Sequence, residues 1–262
     1  MRRLLWLACF AIGCTAAPTR QTTDTDKDGG VDAGTDAGLD AGCPGTPGYP
    51  VYSESFAGTE GSDWPAPWYP IGTHLAWHDI YNNQGRFRSD GLDASPGRMQ
   101  LPNTTLCGFS ADAWWTVSFE DPNNQGSGLY VRQNGQYIGE GYELFIDGSS
   151  YAPTHLTFWY AVNGVEHRFF EAPVPAPAPL LANTKYRVHF QVYQVDSATT
   201  SLRGKIWPAT DCEPSAWQIE TTDTTPSLQY VRGNFAFDVY NYSGTANVLV
   251  SDLVITQPSC TR

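Results

Sequence analysis

The sequence predicts an all-β protein: a two-sheet antiparallel β-sandwich behind a disordered amino-terminal tether. Three observations carry this. From Tyr49 onward no stretch sustains a helical hydrophobic period, while β-rich runs recur about every 10–15 residues, the spacing of sandwich strands. Aromatic residues make up 13% of the chain and charged residues only 16%, beside 25 Gly and 19 Pro, a balance suited to an exported all-β domain. Asn-Gly pairs at 134–135 and 163–164 fall between such runs and supply the positive φ angles of type I′ hairpin turns.

The elements follow in chain order. Residues 1–13 read as a signal peptide: Arg2 and Arg3 give a positive start, and Leu4–Ile12 is apolar but too short to span a bilayer as a helix. Ala11-Ile12-Gly13-Cys14 resembles a bacterial lipobox, which makes Cys14 the expected lipidation site. The alternative is ordinary cleavage after Ala17 and secretion. Residues 14–46 read as a tether. They nearly lack large apolar residues, repeat Asp-Ala-Gly, and carry like charges that favour extension. Asp24–Gly29 matches the first half of a calcium loop, but Thr35 stands where the closing Glu belongs, so the segment reads as a solvated spacer. The domain is expected over 47–262.

Within it, strands are expected at 114–119, 128–132, 142–146, 156–160, 186–193, 235–240 and 248–255. The Pro-rich stretch 172–179 is expected to be an extended loop that does not pair. Along 186–193 the residues alternate. Tyr186, Val188, Phe190 and Val192 fall on one face, and Arg187, His189, Gln191 and Tyr193 on the other. Beyond Cys9 and Cys14 four cysteines remain, an even number that implies two disulfides in an exported chain. Three pairings can be drawn. Cys43–Cys260 with Cys107–Cys212 is favoured, because the ends of a sandwich usually lie side by side.

The formal net charge is −12, and removal of the signal leaves the domain acidic. Such a surface excludes nucleic acid as a partner and repels acidic polysaccharides at long range.

The carboxy-terminal third carries a recognisable order: Lys205-Ile206-Trp207, then Glu213-Pro214-Ser215-Ala216-Trp217-Gln218, Asp223, Gly233, and Val248–Ile255 around Asp252. The opening Glu54-Ser55-Phe56-Ala57-Gly58 with Trp64 and Trp68 matches as well. Residues 45–262 thus resemble the concanavalin A-like (laminin G-like) jelly-roll domains of bacteria. The resemblance implies the fold and leaves the function open among lectins, adhesion modules, glycoside hydrolases and polysaccharide lyases. It also implies a structural Ca²⁺ between Glu54 and Asp252, from neighbouring first and last strands. Trp64 and Trp68 are either a structural plug or, with Trp77, a platform for sugar rings. Trp207 and Trp217 are expected in the core.

Catalytic patterns are sparse. The jelly-roll glucanase string E-x-D-x-x-E is absent. In its nearest relative, Glu140–Asp147, Glu140 and Glu143 should face opposite ways, and these carboxylates read as solvent-facing. Arg187, His189, Gln191 and Tyr193 form the best polar constellation, fit for a lectin surface or for a lyase. His74 and His78 offer only a weak metal pair. The sequence therefore predicts a non-catalytic, lipid-anchored, monomeric outer-membrane domain that binds glycan or a surface protein. Alternatives are a hydrolase or lyase acting on the concave face, or a structural adhesion protein. The candidate ligand residues are Trp64, Trp68, Trp77, Arg187, His189, Gln191 and Tyr193.

Overall fold

Alternation of apolar and polar residues decides which face of each strand is buried, and β-branched and aromatic residues fill most of the chain's extended runs. The computed structural model describes residues 50–72, 76–89, 96–102, 109–134, 139–148, 155–174 and 180–257. Among them are fifteen strands in two sheets. Sheet A contains β1 (Pro50–Glu54), β3 (Trp77–Tyr81), β4 (Gln84–Arg88), β6 (Ala111–Phe119), β11 (Tyr186–Gln194), β12 (Thr200–Pro208), β13 (Ile219–Asp223) and β15 (Val248–Thr256). Its order is β13-β12-β11-β6-β15-β4-β3, with β1 also on β15. Sheet B contains β2 (Tyr69–Ile71), β5 (Gly97–Leu101), β7 (Gln125–Asn134), β8 (Glu140–Asp147), β9 (His155–Val162), β10 (Val165–Pro173) and β14 (Asn234–Asn241). Its order is β10-β9-β8-β7-β14-β5-β2. The paired strands run antiparallel.

All seven expected runs lie inside observed strands. Tyr186, Val188, Phe190 and Val192 are buried in the core, as their alternation requires. Between β9 and β10, Asn163 (φ 52°) and Gly164 (φ 76°) form the expected two-residue hairpin turn. A second such turn, Asn82 (φ 51°) and Asn83 (φ 54°) between β3 and β4, escaped the sequence reading because it lacks Gly. The loop expectation at 172–179 is corrected at its start. Ala172 and Pro173 pair with Leu156 and His155, which an edge strand permits because its outward N–H groups need no partner.

Trp64 and Trp68 are corrected as ligand candidates. Both lie inside the sandwich, 4% and 6% exposed, which leaves neither ring a face for a ligand. Trp64 packs edge-on to Phe56 at 4.7 Å and Phe87 at 5.2 Å, and Trp68 stacks on Phe237 at 5.4 Å. Their indole N–H groups donate to the Asp79 carbonyl (3.0 Å) and the Tyr52 hydroxyl (3.1 Å), so their burial leaves no orphaned donor. Gly85 is required beneath them: a Cβ there would stand 2.7 Å from the Phe56 ring and 2.8 Å from that of Trp64.

The two carboxylates expected at a calcium site, Glu54 and Asp252, each accept hydrogen bonds within sheet A. Glu54 Oε1 accepts the Phe56 N–H at 2.8 Å and so caps the turn that ends β1. Asp252, at φ 51° in a bulge of β15, accepts from Thr116 and Ser251. Both carboxylates serve the sheet. Among the described residues no group of three or more His, Cys, Asp or Glu side chains is placed to hold a metal. His78 bonds the Ala76 carbonyl at 2.9 Å. Cys212 is disulfide-bonded. Cys14, Cys43, Cys107, Cys260, His74, Gly135 and the tether lie outside the described residues.

Trp64→Ala should lower the unfolding free energy by about 3–5 kcal/mol, as for other buried aromatic truncations. Trp77→Ala, where the ring is 40% exposed, should change it little. Urea unfolding of the two variants checks the contrast.

Candidate functional site

The inward residues of sheet B (Leu129, Val131, Tyr142, Leu144, Ile146, Phe158, Phe237 and Val239) fill the core. The two-residue period therefore turns Gly126, Gly128 and Tyr130 of β7, and Glu143, Phe145 and Asp147 of β8, to the outer face. Register brings neighbouring strands into line there. Arg98 stands opposite Asp238, and Asp238 opposite Gly128. Tyr130 stands opposite Glu143, Glu143 opposite Trp159, and Trp159 opposite Arg168. A cavity of about 440 Å³ indents this face. Glu143, Asp147, Glu166 and Asp238 line it together with Arg168, and Phe145, Trp159, Tyr240 and Tyr242 supply aromatic walls. Gly126 and Gly128 leave the space that the Phe145 ring and the Glu143 carboxyl occupy. A Cβ on Gly126 would enter the Phe145 ring at 2.4 Å, and one on Gly128 would lie 2.5 Å from Glu143 Oε1.

Arg98, 2% exposed, is the buried cation of this face. Its Nη2 donates to Asp238 Oδ2 at 2.9 Å and to Glu166 Oε1 at 2.5 Å, and its guanidinium lies 4.4 Å over the Tyr130 ring. The Tyr130 hydroxyl donates to Glu166 at 3.0 Å. Tyr242 donates to Asp147. Three buried polar atoms of the lining, Glu143 Oε1, Asp238 Oδ1 and Trp159 Nε1, have no hydrogen-bond partner among the described residues.

The sequence reading took Glu143 and Asp147 as solvent-facing. Each is 3% exposed, because neighbouring side chains on the same face close over them. It passed over Arg98, Tyr130, Asp238 and Trp159 altogether. The one local signal was Gly126-Ser127-Gly128, two glycines at the period of a strand face, inside an otherwise good strand.

The constellation expected to bind lies on the other sheet. His189 is buried between Trp114 (ring centroids 4.0 Å) and Trp217 (4.7 Å). Its ring nitrogens meet Glu213 at 2.7 Å and Asp112 at 3.4 Å. Lys205 reaches Glu213 at 2.8 Å and the Pro214 carbonyl at 2.6 Å. Gln191 donates to Asp112 at 2.8 Å, Arg187 is half-buried on the same face, and Tyr193 and Trp77 are exposed there on separate strands. This cluster fastens the 213–218 segment to sheet A. Trp217, expected in the core, instead covers His189 from outside. Trp207, expected there too, is 6% exposed.

No family model matches the sequence, and no curated protein matches it. Solved structures do. A protein of unknown function with a galectin-like fold from Bacillus subtilis superposes with a TM-score of 0.54 at 12% identity, covering 80% of this chain and 96% of that one. An alginate lyase gives 0.54 at 12% identity over 82% of this chain and all of that one. A xylan β-1,4-xylosidase from Bacillus halodurans gives 0.52 at 13% identity over 82% of this chain and 41% of that one. The fold is the concanavalin A-like jelly roll.

The charge on the outer face of the jelly roll's sheet B is unbalanced. Burial, then Asp238, push the Glu143 carboxyl well above the usual carboxylate range, against the pull of Arg98. Burial raises Asp238 as well, with Arg98 opposing. It raises Asp147 too, against the hydrogen bond from Tyr242. Burial of Arg98 opposes its charge, but Asp238, Tyr130, Glu166 and Glu143 together hold it firmly protonated. Burial on this face thus favours the neutral form of these carboxyls.

A carboxyl whose pKa is higher folded than unfolded binds more protons in the native state, so its stabilising share is lost as pH rises through the folded value. Thermal stability should therefore fall as pH climbs above the ordinary carboxylate range of about 4. Glu143→Gln should melt close to the parent at acidic pH and progressively above it toward pH 8. Melting curves across that range check this, and a pH-independent gap would contradict it.

Proposed function

We propose that the sheet B cavity binds saccharide. The observation that carries this is a hollow of about 440 Å³ whose walls combine the rings of Phe145, Trp159, Tyr240 and Tyr242 with the polar groups of Glu143, Asp147, Glu166, Arg168 and Asp238. Sugar hydroxyls both donate and accept, which suits a lining that carries carboxyls and a guanidinium beside aromatic rings. The rings of Trp159 and Tyr240 offer apolar faces for pyranose stacking. Two structures that share the fold belong to an alginate lyase and a xylosidase, proteins that act on saccharides. A hollow of this kind favours a glycan over a protein partner, which a flat apolar patch would suit better. In this reading the signal sequence exports the chain, and acylated Cys14 holds it to the outer membrane, on the support of the sequence alone.

A second reading, hydrolysis, is favoured by one specific observation. Burial pushes the Glu143 carboxyl up beside Asp238, which Arg98 meets at 2.9 Å and whose charge Arg98 favours. A proton donor next to an ionised carboxylate is what glycoside cleavage needs.

Binding of a panel of oligosaccharides by isothermal titration calorimetry tests the first reading. Trp159→Ala and Tyr240→Ala should each weaken a positive ligand about tenfold or more without lowering the melting temperature much, whereas Trp77→Ala should not weaken it. Equal losses for all three would remove the cavity from consideration. Release of reducing ends from the bound oligosaccharide tests the second: Glu143→Gln should abolish it, and a ligand bound but never cleaved would leave the protein a binder.

A further inference from the structure

We infer that the hollow takes an internal run of a linear glycan chain, at least three sugar units laid across the strands, and not a single terminal sugar. This rests on the saccharide reading and adds the form of the ligand.

The argument begins with where the lining comes from. Arg168 stands on β10, Trp159 on β9, Glu143 and Phe145 on β8, and Asp238 and Tyr240 on β14. In the sheet these strands follow the order β10-β9-β8-β7-β14, so the lining crosses four strand spacings, roughly 19 Å. A volume of about 440 Å³ drawn out over that length is a trough that runs across the strands. One pyranose ring is about as long as a single strand spacing, so a lone sugar would leave most of the trough to water.

The middle of the trough is kept low by β7. Its outward residues there are Gly126 and Gly128, and two side chains of β8 lean into the space that these lack. A Cβ on Gly126 would stand 2.4 Å from the Phe145 ring, and one on Gly128 2.5 Å from Glu143 Oε1. The Phe145 ring and the Glu143 carboxyl therefore lie over β7 as a floor between the strands on either side. Hydrogen bonds that cross strands, from Tyr130 to Glu166 at 3.0 Å and from Tyr242 to Asp147, set this shape before a ligand arrives.

The aromatic walls fall toward opposite ends. Register places Trp159 in line with Glu143, Tyr130 and Ala236. Tyr240 is four residues further along β14 than Ala236. Three strand spacings across and four residues along put the two backbone positions roughly 20 Å apart. The ring of Tyr242 lies against that of Tyr240, at 4.8 Å, and steadies it at its end. Two walls so placed suit different units of one chain, with the units between them passing over Phe145 and Glu143. Platforms joined by a chain act as linked sites. Once one unit is seated, the next platform meets its own unit at a high effective concentration, so affinity climbs with length until both are filled.

The test uses oligomers of glucose, xylose, mannose and a uronic acid, each from one to six units long, titrated calorimetrically into the full chain. For a chemistry that binds, affinity should rise about tenfold or more from the disaccharide to the tetrasaccharide and then level off. Trp159→Ala and Tyr240→Ala should each bring the tetrasaccharide down toward the parent's affinity for the disaccharide. Trp159→Leu and Tyr240→Leu, which keep more bulk, replace either variant that does not fold. A monosaccharide or disaccharide that binds as tightly as the hexamer, or a rise with length that both variants leave intact, overturns the chain inference while the saccharide reading stands. Failure of every series at every length overturns both.

Discussion

The guanidinium of Arg98 is the fixed point of the sheet B face. It is buried, it reaches carboxylates on β14 and β10, and it lies over the ring of Tyr130 from β7. A lone charge in such a place would be severely destabilising, so its partners must be there in the native fold and in register. The reverse also holds. Arg98 meets Asp238 and Glu166 directly, while burial first and then Asp238 push the Glu143 carboxyl up. Removing Arg98 alone would leave Asp238 and Glu166 without the guanidinium that joins them.

Much of the scaffold was legible in the sequence, and the site was not. Strand positions could be read because apolar alternation is local: Tyr186 to Val192 shows it within seven residues. The hairpin at Asn163-Gly164 could be read because its backbone demands a named pair of residues. Arg98 and Asp238 are 140 positions apart, and only the pairing of β5 with β14 joins them. Nothing near either residue announces the other. Glu143 and Asp147 were seen and misjudged for a related reason. Alternation tells that a residue leaves the core, but whether it then meets water or a neighbour depends on strands elsewhere in the chain. Gly141, at φ 148°, and the register shift of β7 against β8 also break the simple alternation between Glu140 and Glu143.

The sequence pattern behind the resemblance proves to be architecture. Lys205, Glu213 and Trp217 come from its central segments, and they converge on His189 to pin a surface segment to sheet A. A charged hydrogen-bond network between two indoles is a stringent geometric requirement, and it suffices to explain why those residue types stand at that spacing. His189 and Gln191 of β11, attractive as chemistry, are engaged in holding the fold. Around His189 on sheet A the polar groups answer one another, through Glu213, Lys205 and Asp112.

One further contrast lies in the sheet order. Glu143, Tyr130 and Asp238 sit on strands flanked on both sides, whereas Glu166 and Arg168 sit on β10, which has β9 for its sole neighbour in the sheet. β10 also carries a register shift between Arg168 and Phe170 and ends at Pro173. An edge built this way resists recruitment by other strands. It can also yield where the interior cannot, since displacing it breaks one ladder instead of two. The hollow is then stiff along its floor and more compliant along one wall, and a guest that pushes on the β10 side is felt at Arg98 and Tyr130 through Glu166.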